Sequence, residues 1–181
     1  MRKVYLGMNI TLDGYVAGPN GELDWVFRTM SPDMGEWVTE LLRGVDTILL
    51  GHTTYLQQAA TWPTQTGEMA DLLNSHAKIV FSKRLTTLEW NNSRLATADA
   101  AEEIARLKQQ PGKNIYVSGG VTLAQSLVRL GLIEEYNLVM HPIALGSGKP
   151  LFKDLSQPLN LKLVSAKTFA SGAIGLTYQL A

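Results

Sequence analysis

The sequence predicts an α/β fold: a central mixed sheet with helices on both faces, three layers in all, and antiparallel strands at one edge. From Val4 to Leu130, short apolar runs alternate with helix-period stripes, the pattern of a sheet built through crossovers. From Glu135 the apolar period becomes strand-like, and Ser171-Gly172 divides the last two runs as a hairpin turn would. With 181 residues and 45% hydrophobic content, the chain can build an ordinary core without staples. It carries no internal repeat, low-complexity tract or linker, so residues 1–181 read as one domain.

Val4 to Leu12 reads as a buried strand. Residues 13–24 (DGYVAGPNGELD) hold three Gly, one Pro and one Asn and predict a long loop. Ser31-Pro32-Asp33 opens a helix with a capping residue, Pro at the first helical position and an acid in the first turn; Met34, Trp37, Val38, Leu41 and Leu42 form its stripe and Gly44 ends it. Val45 to Leu50 is a central strand ending at Gly51, followed by short helices at 52–60 and 67–75 and a strand at 77–81. Residues 85–98 read as a connection. Asp99 and Glu102 cap the next helix, Asn114 to Val117 is a strand, and Val121 to Leu130 is a helix closed by Gly131. Strands over 135–145, 161–169 and 173–180 complete the sheet.

Several function classes are excluded by composition. Without Cys there is no disulfide, thiolate zinc site or Cys nucleophile. Sixteen Lys+Arg against sixteen Asp+Glu leave no basic footprint for nucleic acid. No apolar run approaches the roughly 20 residues of a membrane span, and Asn9 and Thr11 spoil the N-terminal stretch as a signal segment, so a cytoplasmic location is expected. His52, His76 and His141 lack ligand spacing and read as ordinary histidines, so no metal site is expected. The dinucleotide, phosphate-loop, nucleophile-elbow and zinc-protease motifs are missing; Gly146-Ser147-Gly148-Lys149-Pro150 lacks the magnesium-binding hydroxyl of a phosphate loop.

The positive signals lie at strand ends. Gly51, Ser82 and Ser118-Gly119-Gly120 each follow an apolar strand, and in open α/β sheets ligands bind beyond the carboxyl ends of the strands. Paired glycines let a ligand approach the backbone, and the amides of Val121 and Thr122 suit a phosphate. Lys83 and Arg84 offer further charge for a phosphate, Asp13 sits where a strand breaks into the long loop, and Trp25 offers an aromatic wall, whereas Trp37 belongs to an apolar stripe.

In order, the chain presents TLDGYVAG at 11–18, ILLGHTTY at 48–55, IVFSK at 79–83, IYVSGG at 115–120 and HPIALGSGKPLF at 141–152. This succession resembles the dihydrofolate reductase-like fold and, within it, the family of the C-terminal reductase domain of the bifunctional riboflavin-biosynthesis deaminase-reductase. The resemblance implies an NADPH-dependent reductase acting on a C=O or C=N of a small heterocyclic or sugar-phosphate substrate. It matches Gly51, His52, Thr53, Ser82 and Lys83, with Arg84 beside them, to the adenosine and 2′-phosphate end of the cofactor. It matches Gly119, Gly120, Val121 and Thr122 to the pyrophosphate turn, with a cis Gly-Gly peptide expected, and Val16 and Ala17 to the nicotinamide flank. His52 stands where the fold commonly has Arg, which weakens the preference for NADPH over NADH. Asp13 matches the acid of the family's S-L-D-G stretch, Thr11 replacing the Ser, and is the first candidate for a catalytic polar role. Asp33, on the helix that carries the catalytic carboxylate in dihydrofolate reductases, is the second. The deaminase partner's zinc ligands are absent, so a stand-alone reductase module is expected. A true folate reductase and a nucleotide-binding module without turnover are the competing readings. Leu176 and Tyr178 suggest a homodimer through the tail.

Overall fold

A computed structural model describes all residues, Met1–Ala181. Alternation sets the layers. On β1 (Val4–Thr11), Val4, Leu6, Met8 and Ile10 join one core cluster, and Tyr5, Gly7, Asn9 and Thr11 therefore face the other side. The first cluster is closed by α5 (Ala100–Gln109) through Ile104 and Leu107, and by α6 (Val121–Arg129) through Leu123, Leu127 and Val128. On the opposite face α2 (Pro32–Arg43), α3 (His52–Thr61) and α4 (Glu68–Ser75) contribute Leu42, Tyr55 and Leu73 against Val45, Ile48 and Leu50 of β3 (Val45–Gly51). The helices thus cover both faces of the sheet.

The other strands of the large sheet are β4 (Ala77–Phe81), β5 (Ser93–Leu95), β6 (Asn114–Ser118), β7 (Glu135–His141), β9 (Leu161–Thr168) and β10 (Ile174–Leu180). Their order is β5-β4-β3-β6-β1-β7-β10-β9. The first six run parallel, whereas β10 is antiparallel to both β7 and β9. All six parallel strands therefore end on one edge, at Leu95, Phe81, Gly51, Ser118, Thr11 and His141. Register depends on Gly7: a Cβ there would overlap the Tyr116 hydroxyl, because the Tyr116 ring lies across β1.

Most expected elements form. The α2 helix has Pro32 in its first turn and Gly44 as its C-cap, and Asp99 accepts from the Glu102 amide at 2.9 Å. Gly172, at φ +87, turns the terminal hairpin. Three expectations need correction. The stretch 13–24 is not all loop: β2 (Tyr15–Ala17) pairs with β8 (Lys149–Pro150), and α1 (Asp24–Phe27) begins within it. The connection 85–98 contains β5, which pairs with β4. Both short strands exist only through a distant or neighbouring partner, which local composition does not reveal. Leu176 and Tyr178 are partly buried against the larger core, on a strand bonded on both sides; the exposed apolar pair is Leu163 and Val164 on edge strand β9.

Candidate active site

The row of strand ends outlines the candidate site. With strands ~4.8 Å apart, the four gaps from β4 to β7 span roughly 19 Å. At the β6 end, Gly119 and Gly120 take φ +61 and +83, a backbone that L side chains rarely adopt. No peptide is cis, so the expected cis Gly-Gly bond is corrected: two successive left-handed glycines make the reversal. Nothing lies within 4 Å of where a Gly119 Cβ would sit, so the backbone there is bare. A Cβ on Gly120 would meet the Thr54 hydroxyl at 3.0 Å and come within 3.9 Å of the Gly51 amide nitrogen, which ties the ends of β3 and β6 together. The α6 helix starts at Val121, leaving first-turn amides without intrahelical acceptors. Gln58 donates to the Ser118 hydroxyl at 2.8 Å, and its own Oε1 is buried without a protein partner.

At the β4 end, His52 Nδ1 and the Ser82 hydroxyl lie 2.8 Å apart, and that hydroxyl accepts from the Arg84 and Leu85 amides at 3.1 Å each. Lys83, Arg84 and Thr53 are exposed beside this pair. Val16 and Ala17 are each only 2% exposed, backbone included, and Val16 packs into the larger core, so both lie beneath the cleft surface.

Asp13 is held as a clamp. The Thr11 hydroxyl donates to it at 2.6 Å, and the Gly146 and Leu145 amides donate at 2.8 and 3.2 Å, joining the end of β1 to the loop before β8. Those bonds, the Thr11 hydroxyl foremost, hold its carboxyl below the usual range. Asp33 accepts from the Ser31 hydroxyl at 2.5 Å and from the Ala170 amide at 2.9 Å, fastening α2 to the terminal hairpin; the same bonds lower its pKa. Both carboxyls are thus held ionised, the opposite of what a proton donor near neutrality needs.

The β7 end carries a network that sequence reasoning passed over. His141, read as an ordinary strand histidine, is 1% exposed. Its Nδ1 lies 2.6 Å from the Thr29 hydroxyl and its Nε2 lies 2.9 Å from Asn9 Oδ1. The buried Trp25 packs on it edge-on, ring centroids 5.2 Å apart at 84°. Burial pushes the imidazole down to about 4, so it is neutral at physiological pH. Beside it lies a cavity of about 200 Å³ lined by Trp25, Arg28, Thr29, His141, Pro142 and Ile143. Trp25 was identifiable as an aromatic wall; the other members converge from α1, the turn after it and the end of β7, with no shared spacing.

The RibD C-terminal domain profile matches residues 2–174. The chain belongs to the RibD C-terminal domain family. Bacillus subtilis YyaP, an uncharacterized protein, is 38% identical over 183 residues, which cover 98% of this chain and 94% of YyaP. Among solved structures, a riboflavin-biosynthesis-type protein from Shewanella sp. PV-4 superposes with TM-score 0.79 at 25% identity over 99% of each chain. A Thermotoga maritima deaminase/5-amino-6-(5-phosphoribosylamino)uracil reductase gives TM-score 0.70 at 17% identity, matching 99% of this chain and 57% of that longer protein. Dihydrofolate reductase from Enterococcus faecalis, complexed with NADP(H), gives TM-score 0.66 at 14% identity over 98% of this chain and 96% of that one. The architecture is therefore the dihydrofolate reductase-like one, in its RibD form.

Proposed function

We propose that this chain is a RibD-type reductase: a single domain, cytoplasmic and homodimeric, that takes NADPH and reduces a C=O or C=N of a small heterocyclic or sugar-phosphate substrate. The substrate class to test first is the pyrimidine ribosylamine that riboflavin-pathway reductases use. One observation carries the reading. The bare Gly119-Gly120 backbone, the first amides of α6 and the Thr54 hydroxyl converge beside the ends of two central parallel strands, the chemistry that receives a diphosphate.

NADPH supplies a hydride when bound. The chain's own residues bind, orient and exclude water around it. Gly119, Gly120, Val121 and Thr122 receive the diphosphate through backbone amides. Gly51, Thr53 and the His52–Ser82 pair border the adenosine end, and Lys83 and Arg84 supply charge for a 2′-phosphate. Val16 and Ala17 support the ring end from beneath, as buried residues of β2. We assign Asp13 a positioning role, holding the 11–14 turn against Leu145 and Gly146, and Asp33 a structural one; neither is the proton donor. The folate reading is disfavoured because Asp33 is already engaged by Ser31 and Ala170.

NADPH oxidation measured separately with the pyrimidine ribosylamine and with dihydrofolate tests this. Turnover with the former and none with the latter is expected. A dinucleotide that binds while no carbonyl or imine is reduced would leave a nucleotide-binding module; failure to bind any dinucleotide would end the reductase reading.

A further inference from the structure

Hydrogen-bond direction at the end of β1 and β7 follows from the orientation of the Asn9 amide, and it ends at an amide nitrogen with no partner. A neutral imidazole has one N–H and one lone pair. Asn9 Oδ1 only accepts, so Nε2, 2.9 Å away, carries the proton. Nδ1 then only accepts, and the Thr29 hydroxyl, 2.6 Å away, must donate to it. The ring itself is held in place, because it is 1% exposed and wedged edge-on by Trp25. Two consequences follow. Thr29 turns only lone pairs toward the neighbouring cavity. Asn9, with Oδ1 committed to His141, turns its Nδ2 amide away from the network, and Nδ2 makes no hydrogen bond within the protein and is not sealed from solvent. Asn9 belongs to the central strand between β6, which carries the glycine pair, and β7, which carries His141.

We propose that Asn9 is a ligand-positioning residue whose side-chain amide donates to a carbonyl oxygen of the bound ligand, held donor-outward by the Thr29–His141 relay. The inference rests on the reductase reading for the identity of the ligand, which supplies two such oxygens: that of the nicotinamide carboxamide and that of the heterocyclic substrate. His141 and Thr29 act through Asn9 and touch neither oxygen in this role. A single donor lost from a buried ligand contact weakens that ligand by roughly tenfold.

The relay is tested first without any ligand. A long-range ¹H–¹⁵N spectrum of the imidazoles in the whole protein is expected to show His141 protonated at Nε2; protonation at Nδ1 would overturn the proposal. Asn9→Leu keeps the volume, adds no charge and removes the donor. Its dissociation constant for NADPH and its substrate KM and kcat are then measured beside wild type. About a tenfold weaker NADPH complex assigns the contact to the carboxamide. Unchanged NADPH binding with about a tenfold rise in KM or fall in kcat assigns it to the substrate. No change in any of these overturns the inference. Thr29→Val, which removes the relay's first donor, is expected to reproduce part of the same loss, with Thr29→Ser restoring it; a Thr29→Val protein identical to wild type counts against the relay. Wild type that binds no dinucleotide is a failure of the reductase reading, visible before any variant is made.

Discussion

Two regions of the same strand edge are built by opposite means. Around β3 and β6 the site is backbone: glycines at φ +61 and +83, helix-start amides, and a hydroxyl 3.0 Å from where a Cβ would be. Around β1 and β7 it is side chain: Thr29, His141 and Asn9 in series, closed by Trp25. The backbone region suits a group whose shape never varies, a diphosphate, whereas the side-chain region sets polarity atom by atom and so suits a ligand recognised through a single donor or acceptor.

The largest effect comes from what both regions share. Gly7→Val on β1 would drive a side chain into the hydroxyl of Tyr116, which reaches across from β6 and so joins the two. A loss of about 3 kcal/mol or more is expected in a urea titration, with both functions falling together. A smaller change separates the regions. Gly120→Val forces an L residue to φ +83 against Thr54 and should weaken NADPH by about thirtyfold in a binding titration, while the imidazole spectrum of His141 stays as in wild type. If the spectrum shifts as much as the affinity, the regions are one unit.

Acid sharpens the contrast from the other side. His141 titrates near 4 in the fold against 6.5 in the unfolded chain, so between these values the unfolded state binds more protons and stability falls as pH falls. A loss on the order of 2 kcal/mol is expected between pH 6.5 and 4, and His141→Gln should flatten that slope although it starts less stable. An unchanged slope would mean that the imidazole is not held neutral. The smallest effect is at the surface. Lys83→Ala with Arg84→Ala should reduce the preference for NADPH over NADH by about fivefold, with the melting temperature unmoved, because both side chains are exposed.

The same contrast explains what the sequence reveals. The cradle is readable because its residues are local: a strand, a Gly pair and a helix start lie within about ten positions, and the same holds for Gly51-His52-Thr53. The α2 helix and the terminal hairpin are readable for the same reason, their caps and turn being adjacent to their stripes. The relay is not, because Asn9, Thr29 and His141 lie 112 and 132 positions apart along the two bonds and meet only when β1 and β7 pair. Asp13 and Asp33 were noticed as acids, yet their partners, Gly146 and Ala170, are more than 130 residues away, so their engagement as clamps was invisible. Strands β2 and β5 escaped notice because three residues carry too little periodicity to register.

The most direct measurement is a calorimetric titration of NADPH into wild type and into Gly120→Val. Saturable one-site binding to wild type, weakened by more than tenfold in the variant, is expected if the coenzyme's diphosphate rests on the glycine pair. Equal affinity in both proteins, or no binding to wild type, would contradict it.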